Sequence, residues 1–379
     1  MIYFDNGSTT PMDDRVEEEM LPYNNVYFGN PSSLHAAGRY AANAVERARE
    51  KVAKSIGARP KEIYFTSGGT ESDNVAIQGV AFANRERGNH IITSAIEHHA
   101  VLNTCHFLET EGFKVTYLPV NRDGLVSPDS VNNAITPQTI LVSIMAANNE
   151  IGTIQPIREI GKVAKEGGVL FHTDAVQALG KMPIDVDQDN IDLLAISAHK
   201  LHGPKGVGAL FIRKNTNIRP LFFGGGQELG LRSSTENVAG IVGMGADISF
   251  GTQNMVKDIE IMRELRDRII DQIMSMVSGV FLNGSRSSRL CNNVHFRFDG
   301  IEGESLMLSL DKMGIATSTG SACSSRSIEP SHVLKALGAS NTECRGLLRI
   351  TLNRMNNADE VEYFLNALPK IVSDLRGMY

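Results

Sequence analysis

Residues 62–95 read "EIYFTSGGTESDNVAIQGVAFANRERGNHIITSA", and this stretch decides the fold. Its two ends are short apolar runs of the kind that form strands, whereas the segment "TESDNVAIQGVAFANRE" between them has a helical period. A helix placed between two strands is typical of a parallel sheet, whose strands are joined by crossover helices. The stretch therefore predicts an α/β fold.

The same alternation continues on both sides of this stretch. Helical patterns occupy residues 32–57, 98–112 and 157–168, and strand-like runs occupy residues 114–120, 139–146, 169–174, 192–197 and 206–212. Such alternation predicts a mainly parallel sheet with helices on both faces. In that architecture, ligands bind at the carboxyl ends of the strands.

The pattern changes near residue 255, after the apolar helix predicted in "NVAGIVGMGADISF". A long polar helix near residues 255–278 is followed by fewer strands that look antiparallel. These are "CNNVHFRF", "GIATST" and "LLRITL", with helices around "GESLMLSLDKM" and "ADEVEYFLNALPKIVSDLR". We expect residues 13–255 to form a large domain, and residues 1–12 with 256–379 to form a smaller α+β domain.

Composition excludes several classes of protein. The chain has 379 residues, 42% hydrophobic and 21% charged, which is typical of a globular protein, and its net charge of −6 disfavours binding to nucleic acid or anionic membranes. The N-terminal stretch lacks the features of a signal peptide and no run suits a membrane span, so we expect a cytoplasmic protein. The cysteines lack C-x-x-C spacing, and we interpret them as free thiols.

Polar residues follow several of the predicted strands. The turn "TSGGTESDN" opens a helix whose free N–H groups suit a phosphate, although a glycine turn with a threonine cap also starts many ordinary helices. Asp174 ends another strand, with Gln177 one turn later, where an acid is commonly a helix cap. His98 and His99 end a third, but no metal-binding spacing accompanies them, so we expect no metal.

Lys200 stands in "SAHKLHGPKG", residues 197–206, directly after an apolar strand. Its ammonium group would be costly there unless it were paired or used in chemistry. A lysine, an aspartate, a histidine, an amide and a phosphate-type turn at the ends of different strands are the parts that pyridoxal phosphate requires. The lysine forms a Schiff base, the carboxylate keeps the ring nitrogen protonated, and the helix N-terminus binds the phosphate. We therefore predict that Lys200 binds the cofactor.

A series of motifs carries a resemblance to a known family. They are "YFDNGSTTP", "FGNPSSLH", "FTSGGTESDN", "EHHAV", "NNEIG", "HTDAVQALGK", "SAHKLHGPKGVGAL", "GGGQELGLRSST" and "STGSACSS". The chain resembles the cysteine desulfurases, the NifS/IscS-like branch of the class V aminotransferase-fold enzymes, over nearly its whole length. The resemblance implies a fold type I transferase dependent on pyridoxal 5'-phosphate. The cofactor would bind in the large domain, and the small domain would carry the Cys323 loop.

The resemblance also implies a role for individual residues. Lys200 would hold the cofactor, Asp174 would pair with its ring nitrogen, and His98 would stack on the ring and move protons. The other residues implied are Asn149 and Gln177 on the ring-oxygen side, Gly69, Thr70, Ser197 and His199 at the phosphate, and Thr235 at the phosphate of a neighbouring subunit. The active site would then be shared between the two subunits of an obligate homodimer.

Two further residues would act on the substrate. Cys323 lies in a small, polar stretch, unlike the apolar settings of Cys105, Cys291 and Cys344, and the family motif implies that it is the nucleophile. Arg354 matches the arginine that binds the substrate carboxylate, although Asn353 replaces a glycine common in the family. Arg349 is the competing candidate, and we prefer Arg354.

The implied activity is conversion of L-cysteine to L-alanine, with the sulfur held as a persulfide on Cys323. The sulfur would pass to an iron–sulfur scaffold or another acceptor protein for cofactor biosynthesis. One alternative is an iron–sulfur assembly scaffold or cysteine-ligand donor with weak turnover, which the presence of Lys200 disfavours. Others are a selenocysteine lyase and an aminotransferase, and the latter has no use for the Cys323 thiol.

Overall fold

The structure, a computed structural model, describes residues 1–320 and 330–377. Its strands are β1 (Ile2–Tyr3), β2 (Ile63–Thr66), β3 (His90–Ser94), β4 (Lys114–Leu118), β5 (Thr139–Ser143), β6 (Leu170–Asp174), β7 (Leu193–Ser197), β8 (Gly208–Ile212), β9 (Val280–Leu282), β10 (Asn293–Phe298), β11 (Ile315–Ala316) and β12 (Leu347–Thr351). Its helices are α1 (Asp14–Asn25), α2 (Ala36–Ser55), α3 (Gly69–Ala83), α4 (His99–Thr110), α5 (Pro128–Ala134), α6 (Ile157–Glu166), α7 (Val238–Gln253), α8 (Met255–Met276), α9 (Gly303–Lys312), α10 (His332–Ala336) and α11 (Ala358–Gly377).

The central sheet has the strand order β2-β8-β7-β6-β5-β3-β4. The pairs from β7 to β4 are all parallel, whereas β8 runs antiparallel to both β2 and β7. The predicted mainly parallel sheet is therefore confirmed. The link between β7 and β8, residues 198–207, is too short for a crossover helix, so β8 returns antiparallel and the link makes a tight turn.

Buried side chains form separate apolar clusters. The largest lies between the central sheet and its helices and includes Phe65, Phe171 and Ile241. Another joins β1, α8, β10, β12 and α11, and in it the rings of Phe4 and Phe364 meet edge to face with their centroids 5.8 Å apart. These clusters agree with a chain of two parts, and the boundaries predicted for the two domains remain a prediction.

The first residues of the chain pack with its last third. β1 pairs in parallel with β11, and the Asp5 backbone bridges to Thr351 in β12. The strand predicted at residues 314–319 is shorter than expected, because β11 pairs only over the two residues of β1. Within the described residues, none of the helices is long and apolar enough to cross a membrane.

Candidate active site

A cavity of about 310 Å³ opens where the parallel strands end. β6 ends at Asp174, β7 ends at Ser197, and α3 and α4 begin beside the cavity at Gly69 and His99. The predicted residues that line it are Gly69, Thr70, His98, Asn149, Asp174, Gln177, Ser197, His199 and Lys200. The other residues of its wall are Gly7, Ser8, Asp73, His99, Met145, Ala147, Glu150, Val176, Gly320, His332 and Arg349.

Lys200 ends the short 3₁₀ turn Ala198–Lys200 that follows β7. Its Nζ atom donates hydrogen bonds to the carbonyl oxygens of Gly7 at 2.7 Å and Ser8 at 2.6 Å. The Gly7 oxygen also accepts a hydrogen bond from Gln177 Nε2 at 2.9 Å. The turn at the start of the chain is therefore part of the cavity wall, and its carbonyl oxygens hold the lysine amine in place.

Asp174 lies at the carboxyl end of β6 and lines the same cavity as Lys200. Its Oδ1 atom accepts a hydrogen bond from the Val176 N–H at 2.9 Å. Burial raises the pKa of Asp174 to about 6, against the lowering effects of that hydrogen bond and of the Lys200 charge. Burial and the neighbouring carboxyls of Asp174 and Glu97 also raise the pKa of Asp73. Asp174 is the more readily ionised of the two carboxyls, because the Val176 N–H and the Lys200 charge favour its charged form.

The start of α3 forms a cradle suited to a phosphate. Gly69 begins the helix, where the first N–H groups have no partner within the helix. A Cβ atom on Gly69 would lie only 2.6 Å from Val176 Cγ2, so no larger residue fits there. Ser197 Oγ is buried without a hydrogen-bond partner among the described residues, and a buried hydroxyl of this kind needs an acceptor.

These observations fit pyridoxal phosphate. The cradle at Gly69 and the unpartnered Ser197 hydroxyl suit the phosphate, Asp174 suits a protonated ring nitrogen, and Lys200 suits the aldehyde carbon. These groups come from the ends of three strands, β2, β6 and β7, and all of them line one cavity.

His98 caps α4 and lines the same cavity. Its Nδ1 atom accepts a hydrogen bond from the Ala100 N–H at 3.1 Å. Burial, together with the charge of Lys200, lowers the pKa of His98 to about 4. The ring is therefore neutral at pH 7 with its proton on Nε2, where it can be donated.

Arg349 enters the cavity from β12. Its guanidinium donates to the carbonyl oxygens of Asn149 at 3.0 Å and Gly320 at 3.1 Å. It also donates to Asp5 Oδ1 at 2.9 Å and Ser8 Oγ at 2.7 Å. Arg349 Nε is buried and has no hydrogen-bond partner in the described part of the chain.

Arg354, the residue predicted to bind the substrate carboxylate, lies outside this cavity, and its role there stays a prediction. Arg354 Nη2 donates to Asp13 Oδ2 at 2.9 Å and Asp247 Oδ1 at 3.3 Å, and the residue does not line the cavity. Strand alternation places Arg349 in the cavity wall, because Leu348 and Ile350 of β12 point into the apolar core and Arg349 between them points the other way, whereas Arg354 lies beyond the end of the strand.

Two predicted residues lie elsewhere. Thr235 lines a separate small cavity with Ser67 and Ser234, so it does not reach the cofactor cavity of its own chain.

Cys323 lies outside the described residues. Burial raises the pKa of the Cys105 thiol to about 12 and that of Cys291 to about 11, and it also raises the pKa of Cys344. None of these three thiols is activated as a nucleophile.

Sequence reasoning missed several residues of the cavity wall. Gly7 and Ser8 lie in the motif "YFDNGSTTP", which was noted without a role, and they contact Lys200. Glu150 follows Asn149 in "NNEIG", and His332 lies far along the chain. Glu150 is the one charged residue in that motif, which is the signal that could have identified it.

Comparison with known proteins identifies the family. Residues 2–364 match the family described as aminotransferase class-V. The chain is 54% identical to the cysteine desulfurase IscS of Dictyoglomus turgidum, over 99% of this chain and 95% of the relative. A solved NifS-like protein is 42% identical with a TM-score of 0.93 over 99% of this chain and 100% of its own. A solved complex of SspA with cysteine is 41% identical with a TM-score of 0.84, covering 94% of this chain and all of the other. The chain belongs to the class-V aminotransferase family and, within it, to the cysteine desulfurases, which depend on pyridoxal phosphate.

Proposed function

We propose that the chain is a cysteine desulfurase that converts L-cysteine to L-alanine and holds the sulfur as a persulfide on Cys323. The observation that carries this proposal is the convergence of Lys200, Asp174, His98 and the start of α3 on one cavity. Bound pyridoxal phosphate supplies an electron sink that weakens the bonds at the substrate Cα. Residues of the chain carry out proton transfer, binding of the substrate carboxylate and transfer of the sulfur.

Lys200 and His98 move protons in this proposal. The amine of Lys200 takes the proton from the substrate Cα, and the Gly7 and Ser8 carbonyl oxygens accept hydrogen bonds from the resulting ammonium. His98 is neutral with its proton on Nε2, so it can donate to a developing anion in the cavity. Asp174 keeps the cofactor ring nitrogen protonated.

In this proposal Arg349, and not Arg354, binds the substrate carboxylate. It lies in the cavity wall, and its unpartnered Nε and its Nη2 form one edge that suits a carboxylate. A substrate carboxylate would share Nη2 with Asp5 and Ser8, which hold the guanidinium in place. Arg354 is committed to two aspartates outside the cavity.

The sulfur step balances without an external oxidant. The Cys323 thiolate attacks the substrate sulfur, an S–S bond forms, and the C–S bond breaks. The electron pair of that bond stays with carbon, which takes up a proton and leaves as L-alanine. Sulfur is oxidised and carbon is reduced. The persulfide then passes to a thiol of an iron–sulfur scaffold or another acceptor protein. A cytoplasmic setting for this transfer remains the prediction made from the sequence.

A homodimer completes the site in this proposal. Thr235 lies outside the cavity of its own chain, which supports a role at the cofactor phosphate of a partner. Exposed apolar side chains are also typical of an interface, and Phe28, Leu34, Phe223 and Leu229 are all largely exposed. A two-fold dimer makes the sharing of Thr235 reciprocal. Sedimentation of the active enzyme tests this, and a stable, active monomer would refute it.

One assay tests the proposed activity directly. Purified holoenzyme should form alanine and sulfide from L-cysteine in equal amounts when a reducing thiol is present. Cys323→Ser should keep the cofactor and still bind cysteine, as seen by a change in cofactor absorbance, because cysteine binding does not use the thiol. It should release no sulfide. Substantial turnover by Cys323→Ser would assign the nucleophile to another group.

A further inference from the structure

A second cavity, of about 160 Å³, lies between α7, α8, residues 179–184 and the chain that follows β12. Among the described residues, its wall and that of the cofactor cavity have Lys200 alone in common. Most of the second wall is apolar, and its apolar side chains include Leu179, Met182, Ile184, Ile248, Met255 and Met262. The second cavity is therefore a space of its own, with a different chemical character.

Asp247 in α7 places an unpartnered polar atom in this wall. The residue is only 1% exposed. Its Oδ1 atom accepts a hydrogen bond from Arg354 Nη2 at 3.3 Å, whereas its Oδ2 atom is buried without a hydrogen-bond partner in the part of the chain that the structure describes. A buried carboxyl oxygen in this state is costly until another group pairs with it. The cavity therefore offers a ligand one polar contact.

The other polar side chains of the wall are largely used within the protein. Those that hydrogen-bond to another protein group are Thr10, Ser55, His202, Thr252 and Asn353. A buried water needs roughly two to four polar partners, and a cavity that lacks them stays dry. One unpartnered oxygen in an apolar wall therefore suits an apolar molecule with a single polar group better than a cluster of waters.

The charges beside the cavity favour a neutral ligand. Arg354 Nη2 pairs with Asp13 at 2.9 Å and with Asp247 at 3.3 Å, and the Lys181 charge also acts on Asp247. Two cations thus balance two carboxyls. A charged ligand would bring a further, uncompensated charge into a buried space.

We propose that the second cavity binds a small neutral molecule with one apolar ring or short branched chain and one hydroxyl group, which pairs with Asp247 Oδ2. An apolar cavity of this volume accommodates one molecule of about the size of benzene. A hydroxyl group both donates and accepts, so it suits the carboxyl in either state of ionisation. Burial raises the pKa of Asp247 to about 7, and both states are therefore populated near neutral pH.

The test uses phenol and toluene, which have the same shape and differ in the hydroxyl group. Holoenzyme with ¹³C-labelled methionine methyl groups is titrated with each and followed by NMR. Phenol should shift the Met182, Met255 and Met262 signals saturably, with a dissociation constant of about 1 mM or below. Met145, in the wall of the cofactor cavity, is the internal control and should not shift.

The wild type by itself tests the role of the hydroxyl group. Water solvates phenol more strongly than toluene, so a purely apolar cavity would bind toluene more tightly. Pairing with Asp247 should offset this difference, and phenol should bind at least as tightly as toluene.

A pair of variants assigns the partner of the hydroxyl group. Asp247→Leu should weaken phenol binding about tenfold and leave toluene binding within about twofold, since it removes one hydrogen bond to a carboxyl and keeps an apolar side chain there. Asp258→Leu removes another carboxyl from the same wall and should change neither affinity.

Three results would overturn the proposal. They are no saturable shift at the three methionines, a shift at Met145 instead, and tighter binding of toluene than of phenol to the wild type. The NMR readout needs no turnover, so these results do not depend on the proposed activity. If Asp247→Leu does not fold, the two wild-type titrations still decide the question.

Discussion

Two buried, charged regions both touch Lys200, and we assign the chemistry to only one of them. The cofactor cavity holds Lys200, Asp174 and Arg349. A second cavity of about 160 Å³ also touches Lys200, and its wall includes Asp247 and Arg354. Each region pairs an arginine with an aspartate at 2.9 Å, Arg349 with Asp5 and Arg354 with Asp13. Buried charge by itself therefore does not mark an active site.

The regions differ in what surrounds their charges. The cofactor cavity combines a helix N-terminus, a small-residue cradle and a buried hydroxyl without a described partner. The second cavity is lined mainly by apolar side chains such as Leu179, Met182, Ile248 and Met262. The first arrangement suits a charged ligand, whereas in the second the buried charges of Arg354 and Asp247 pair with each other. Variants in matched pairs test this distinction.

Substitution of each of the two buried lysines should give the largest difference in turnover between the two regions. Lys200→Ala should abolish covalent attachment of the cofactor and lower turnover by more than a thousandfold, because no other amine replaces it. Lys181 is also buried and donates to the carbonyl oxygens of Gln177 and Lys200. Lys181→Met should lower the melting temperature and keep turnover within about fivefold. Borohydride reduction and peptide mapping check the attachment; a cofactor adduct on Lys181 would reverse the assignment.

Substitution of each of the two arginines should give the next largest difference, in KM for L-cysteine and in stability. Arg349→Lys should raise KM for L-cysteine about a hundredfold, since one ammonium cannot replace the bidentate edge of the guanidinium. Arg354→Lys should leave KM within threefold and should destabilise the fold by about 1 kcal/mol, because the ammonium keeps the charge but cannot reproduce the hydrogen bonds of the guanidinium to both Asp13 and Asp247. Steady-state kinetics and urea unfolding measure the two effects. The opposite pattern would return the substrate site to Arg354.

The sequence predicted the parallel sheet from local patterns, and local patterns together with the family resemblance pointed to nine residues of the cavity wall. Lys200, Asp174 and His98 each follow a strand, so the shared edge of the sheet brings them together without any long-range information. The choice between Arg349 and Arg354 needed the register of β12, which a five-residue strand does not reveal by itself. The Glu150–Ser331 and Lys200–Gly7 contacts join residues more than 180 positions apart, and no local pattern predicts such pairs.

Titration of the buried aspartates should separate the regions further. Burial raises the pKa of Asp247 to about 7, so the folded state holds a proton that the unfolded state releases near its ordinary pKa of 3.8. Between these values the folded state binds more protons, and stability falls as pH rises. Relative to Asp247→Asn, the wild type should lose up to about 4 kcal/mol between pH 4 and pH 7.5.

Asp174 should show a smaller effect of the same sign, because burial raises its pKa only to about 6. Its effect should disappear when the cofactor is bound, since a protonated ring nitrogen then pairs with the carboxylate. The Asp247 effect should persist in both forms. Urea unfolding of cofactor-free and cofactor-bound protein across this pH range measures both. A cofactor-dependent Asp247 effect would mean that the two regions are coupled through the Lys200 turn.

Removal of one buried hydroxyl from each of two adjacent strands should give the smallest effect on stability. Ser197 Oγ and Thr173 Oγ1 are both buried without a hydrogen-bond partner among the described residues, and they lie on adjacent strands. Only Ser197 lines the cofactor cavity. An unpartnered buried hydroxyl destabilises the fold, so Ser197→Ala and Thr173→Val should each stabilise the cofactor-free protein by about 1 kcal/mol.

Their effects on the cofactor should differ. If Ser197 donates to the phosphate, Ser197→Ala should weaken cofactor binding about tenfold, which corresponds to one charge-assisted hydrogen bond. Thr173→Val should leave cofactor affinity within twofold. Equilibrium dialysis of pyridoxal phosphate gives the affinities and thermal melts give the stabilities. Equal affinities for both variants would mean that Ser197 Oγ does not contact the phosphate and that the α3 N-terminus binds it without this hydroxyl.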